Sequence, residues 1–130
     1  MTENVKRVYL SDLHFEHTFW IKELLFWEDQ ISIFRKRLEE IVSRYTVNEV
    51  RAKVEHFQNQ FILHEDVIDV LKKAIKKHEQ QLAHYAEEHP VAIHHVHFDD
   101  HTDLRERMET QKTIYTDLKN NFFRFMSDTM

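Results

Sequence analysis

Between Leu13 and Tyr45 the apolar positions fall at alternating steps of four and three: Leu13, Trp20, Leu24, Trp27, Ile31, Phe34, Leu38, Ile41 and Tyr45, with His17 in phase. That alternation averages 3.5 residues, the period that keeps one face of a helix against a neighbour along a left-handed supercoil. A second run carries the same spacing through Val47, Val50, Val54, Phe57, Phe61, His64, Ile68, Leu71, Ile75, His78, Leu82, Tyr85 and His89. A third reads Leu104, Met108, Gln111, Tyr115, Leu118, Phe122 and Phe125. The pattern predicts helices over about 11–45, 47–89 and 99–127, in one domain spanning 1–130. Connections this short favour antiparallel neighbours. The expected fold is therefore all-α, an antiparallel up-down-up bundle of three long coiled-coil-like helices. A fourth helix arises only if the second one breaks near Asn59 or His64.

Local signals mark the ends. Thr46-Val47-Asn48-Glu49 has the form of a capping box, with Thr46 as the expected cap of the second helix. Pro90 disfavours helix at the residue before it and so closes that helix at His89. Asp99 or Asp100 is the expected N-cap of the third helix, and Asp103 adds negative charge to its first turn.

The first segment has more apolar surface than one seam uses. Phe19, Phe26 and Ile33 recur seven residues apart off the seam, and Ile21 and Leu25 extend the surplus. A helix apolar over most of its circumference requires partners on two sides. Phe19, Ile21, Leu25, Phe26 and Ile33 are accordingly the expected interface of a homodimer, the commonest symmetric assembly. The alternative occupant is a fourth helix, supplied within the monomer by the second segment folding back; another protein is a further candidate partner.

Composition sharpens this picture. With no glycine and one proline, the chain lacks the residues that dense turns and hairpins require. No cysteine is present, which removes disulfides, thiolate ligands and cysteine nucleophiles. A net charge of −5 argues against a nucleic-acid surface. The longest apolar stretch, Phe19 to Trp27, is interrupted by Lys22 and Glu23 and is too short for a bilayer. The expectation is a cytoplasmic protein with no membrane or nucleic-acid partner.

The eleven histidines are the unusual chemistry. In phase with the seams, His17, His78 and Gln111 are expected to form a buried polar layer that fixes register. Folding the segments as a bundle gathers most of the remaining histidines at the end that holds the second connection. Imidazole suits zinc, nickel, copper or iron, often with a carboxylate. The spacings His97-x3-His101 and His84-x3-Glu88 nominate His84, Glu88, His89, His97 and His101 as ligands of a divalent transition metal. The Glu-x-x-His pattern of ferritin-like di-iron bundles is absent from the chain. Neighbouring His/Asp and His/Glu pairs do not face one another on a helix, and no phosphate loop or nucleophile elbow is present. The leading expectation is a non-enzymatic bundle, without a cofactor, that acts by protein association. A metal-binding bundle is the alternative.

Overall fold

The computed structural model describes residues 9–87 and 95–129, with side chains from Phe98 onward in the second stretch. It contains α1 (Leu10–Arg44), α2 (Asn48–Ala86) and α3 (His95–Thr129). α2 is unbroken over its 39 residues, so the fourth helix does not form. At 1.5 Å per residue the helices are roughly 50–60 Å long.

Cross-helix contacts give the topology. As α1 advances through His17, Glu28 and Arg35, its α2 partners recede through Glu79, Lys72 and Glu65. Between α2 and α3, His78 lies against His101, His64 bonds Gln111, and Phe57 packs on Phe122. Each neighbouring pair in the chain therefore runs in opposite senses, and α3 runs alongside α1.

The buried positions are those the three-and-four spacing picks out. On α1 they run Leu13, His17, Trp20, Leu24, Trp27, Ile31, Phe34, Leu38 and Ile41. On α2 they run from Val54 to Leu82. One end of the core is aromatic: Phe34 and Phe122 have ring centroids 5.0 Å apart, and Phe57 and Phe125 are 5.3 Å apart. Such pairs add about 0.5–1.5 kcal/mol each beyond their burial. Around the rim, Lys72 reaches Glu28 at 3.0 Å and Arg35 reaches Glu65 at 2.7 Å, tying α1 to α2. The Glu28 hydrogen bond, opposed by burial, holds the Lys72 ammonium above its ordinary pKa.

Mid-bundle, the buried Tyr115 hydroxyl donates to Gln30 Oε1 at 2.7 Å, and its ring lies 5.4 Å from Trp27. Burial pushes that phenol well above its usual range. Tyr115→Phe should cost about 1 kcal/mol, read from the urea midpoint, since one hydrogen bond is lost while the packing stays.

Three sequence expectations need correction. Thr46 does not cap α2: the N-cap is Val47, with extended backbone and no side-chain hydrogen bond to the helix. Helix thus begins at Asn48, one residue too late for the Thr46 hydroxyl to sit at the cap. Val47 itself is exposed and leaves the seam. Asp99 and Asp100 do not start α3, which begins at His95; no glycine or proline stands between His95 and Asp99 to prevent helix there. The register with α2 also differs from the expected one. His101 sits against His78, and Gln111 pairs with His64 rather than His78. The closure of α2 at His89 and Pro90 lies outside the described residues.

Candidate metal centre

Each helix contributes one histidine to a single level of the core. His17 occupies the α1 seam between Leu13 and Trp20, and His78 the α2 seam between Ile75 and Leu82. His101 extends the α3 seam one step above Leu104. All three are enclosed, with exposures of 2%, 3% and 0%. One ligand atom from each lies within 4.8 Å of the other two, which makes them the one such group among the described residues. His17 Nε2 is 3.1 Å from His78 Nδ1 and 3.2 Å from His101 Nδ1. An ion with metal–nitrogen bonds of about 2.0–2.1 Å in tetrahedral geometry sets its ligands roughly 3.3 Å apart. Two edges of the triangle are already close to that length.

The outward nitrogens are held by carboxylates. His17 Nδ1 donates to Glu79 Oε1 at 2.7 Å, and His101 Nε2 donates to Glu16 Oε1 at 2.6 Å. Arg105 binds the same Glu16 carboxylate through Nη2 at 2.7 Å, and the exposed His14 shares Glu79. Trp20 stacks on the His101 ring at a centroid distance of 4.9 Å and fixes its plane.

These carboxylates assign the tautomers. A neutral imidazole carries one N–H, and a carboxylate only accepts. Placing those protons on His17 Nδ1 and His101 Nε2 leaves His17 Nε2 and His101 Nδ1 as bare lone pairs, facing each other across 3.2 Å. His78 Nδ1–H can donate to His17 Nε2, but nothing in that triangle supplies a proton to His101 Nδ1 while its ring is neutral. Two opposed lone pairs in a dry core are stable only with positive charge between them. A carboxylate behind each ligand imidazole is also the usual support of a metal-bound histidine.

The electrostatics favour a neutral His101 ring. Burial is the largest influence on His101 and lowers its pKa below the ordinary 6.5; the positive charge that His17 and His78 acquire on protonation acts in the same direction, against the opposing pull of Glu16. For Glu16 burial acts upward, but hydrogen bonds from Arg105 and His101 outweigh it and keep the carboxyl below its usual range. Glu79 is likewise lowered, with His17 and His14 overcoming its burial. The centre thus combines a His101 ring that burial keeps neutral with ionised carboxylates behind His17 and His101.

The sequence-derived ligand set is only partly assembled here. His101 belongs to the centre. His84 is exposed on α2 and takes no part in it. Glu88 and His89 lie outside the described residues, as does the side chain of His97. His17 and His78 are buried as expected of the polar layer, and they are also the two members of this histidine group that spacing did not nominate. Gln111, the third member of that layer, is buried elsewhere and donates through Nε2 to His64 Nδ1 at 2.8 Å.

No helix among the described residues is long and apolar enough to cross a membrane. Comparison with protein-family models, with curated proteins and with solved structures finds no match to the chain.

Proposed function

We propose that this chain is a metal-binding helical bundle in which His17, His78 and His101 hold one divalent transition-metal ion. The observation that carries the reading is the pair of carboxylate-assigned tautomers, which turn lone pairs from His17 and His101 toward each other inside the core. Three neutral imidazoles suit zinc, cobalt, nickel, copper or iron and disfavour calcium and magnesium, which take oxygen ligands. The ion would join all three helices, so its role is binding and bracing rather than turnover. The three-and-four seam supports a coiled-coil-like packing around it. Self-association of the bundle, the leading expectation from the sequence, is compatible with a bound ion and rests on a different surface. A cytoplasmic location belongs to the same proposal and is read by cell fractionation.

Cobalt titration of protein purified without a polyhistidine tag tests the site. One Co²⁺ per chain should bind with the visible absorption of a four-coordinate nitrogen site, and Zn²⁺ should displace it. His17→Ala, His78→Ala and His101→Ala should each abolish that spectrum, whereas His84→Ala should preserve it. Absence of stoichiometric binding, or binding indifferent to the three core substitutions, overturns the proposal. The competing outcome is a proton in place of the ion, seen as a protonated His101 Nδ1 in nitrogen NMR at pH 7.5.

A further inference from the structure

The face of α1 turned away from the core carries Phe15, Phe19, Lys22, Phe26, Asp29 and Ile33, at steps of four and three, all exposed. Phe19, Phe26 and Ile33 are 54%, 59% and 64% exposed, so neither α2 nor α3 covers them. This is a second seam on a helix whose first seam is fully used. Beside it, Ile21 and Leu25 line a groove of about 490 Å³ against Ile75 of α2, edged by Lys22 and Lys76. Apolar aromatic residues in line with an open groove form the kind of surface that marks an interaction site.

The order of residues identifies the occupant. Reversed about the point between Leu25 and Phe26, Lys22 exchanges with Asp29 and Leu25 with Phe26, and Phe19 falls within one residue of Ile33. Self-complementary charges about an apolar centre are what a two-fold isologous contact requires, since residue i meets j and j meets i. Charge distinguishes the two possible directions. In a parallel pair Lys22 meets Lys22 and Asp29 meets Asp29. In an antiparallel pair each Lys22 meets the other copy's Asp29. Neither residue has an ion pair among the described residues. Within one chain they are seven positions apart, about 10 Å along the helix, too far to satisfy each other.

We propose that a second copy of this chain docks antiparallel on this face of α1, with the two-fold axis beside Phe26 and two symmetric Lys22–Asp29 pairs flanking it. The contact goes beyond the metal reading and does not depend on the ion, so metal-free protein serves for its test. α1 of one copy on the exposed Leu63, Val67 and Val70 of α2 in another is a heterologous contact, and it generates open chains rather than a closed pair.

Sedimentation equilibrium with charge-reversal variants tests the proposal. The unmodified chain should be a dimer at micromolar concentration, with no larger species as concentration rises. Lys22→Glu and Asp29→Lys should each weaken the dimer about tenfold, since two exposed pairs turn repulsive in each case. The double variant should recover most of that loss, because the pairs re-form with their charges exchanged. Circular dichroism should stay helical in all three, these being surface changes. Because the chain has no cysteine, single-cysteine variants add a geometric check. Phe26→Cys should oxidise to a covalent dimer, whereas Ile33→Cys should not, its two copies standing about 20 Å apart along the axis. A monomer, assembly that continues past the dimer, equal cross-linking at 26 and 33, or a double variant no tighter than the singles each overturns the proposal. A monomer would assign the stripe to another segment of the chain or to a different protein.

Discussion

Stoichiometric zinc should raise the melting temperature of the metal-free protein by more than about 10 °C, the largest single effect expected here. A ligand that binds only the folded chain stabilises it by RT ln(1 + [L]/Kd), which is about 4.1 kcal/mol at a thousandfold excess over Kd. For a domain of this size each kcal/mol shifts the midpoint by roughly 3–5 °C. The unfolded chain offers no comparable site, because His17, His78 and His101 are brought together only by the register of three helices. Replacing any of them with alanine also leaves a cavity, so the absolute melting temperature of a variant is a poor measure. The increment on adding zinc isolates the ion, and it should vanish in His17→Ala, His78→Ala and His101→Ala. Glu16→Gln and Glu79→Gln should bind zinc 10–100-fold more weakly, because they remove the charge behind each ligand ring. An increment unchanged by the three core substitutions would place the zinc elsewhere, on the exposed histidines.

Much of this centre was legible in the sequence, but not as a centre. The seam spacing located His17 and His78 in the core, because one face of each helix must be buried and both residues lie in phase with it. His101 stands three positions before Leu104, so continuing the third seam by one step would have placed it there too. What spacing within one helix cannot supply is the level at which residues on different helices meet. That depends on where α3 begins, and no cap or breaker fixed its start at His95. Turning the chain back after His89 put Gln111 at the level of His78 and sent His101 toward the end of the bundle. Local His-x3-His and His-x3-Glu spacings then seemed the natural ligand pairs. The actual group takes one residue per helix, which leaves no short-range signature. Glu16 and Glu79 were invisible for a related reason. Each stands next in sequence to a core histidine and supports one: Glu79 the His17 of another helix, Glu16 the His101 of another. The exposed stripe on α1 was legible because an apolar residue every seven positions outside a filled seam needs no register to be noticed.

Acidification from pH 7.5 to 5.5 should lower the urea midpoint of the metal-free protein steeply. His64 makes the cleanest case, being remote from the ligand triangle. It is buried, accepts from Gln111 at Nδ1, and lies against the neutral ring of Tyr115 at 5.7 Å. Burial pushes its pKa below the ordinary 6.5, with no carboxylate bonded to it to offset that. The sign follows. Between the folded pKa and 6.5 the unfolded chain binds a proton at this position that the folded chain refuses. The contribution of a neutral His64 is therefore complete above 6.5, and it is lost as the pH falls through that value toward the folded pKa. Each such proton contributes a slope of up to about 1.4 kcal/mol per pH unit. His101, shifted in the same direction, adds to it. Glu16 and Glu79 act lower: their stabilisation is complete above about 4.5 and disappears as the pH falls through their depressed values. The decisive comparison is His64→Leu combined with Gln111→Leu, which removes the titrating ring and its partner together and so leaves no buried amide unpaired. The double variant should keep its helices, match or exceed the parent at pH 5.5, and show a shallower pH slope between 5.5 and 6.5. A parent midpoint that stays flat across this range, or a double variant with an unchanged slope, would mean that His64 accepts its proton inside the fold.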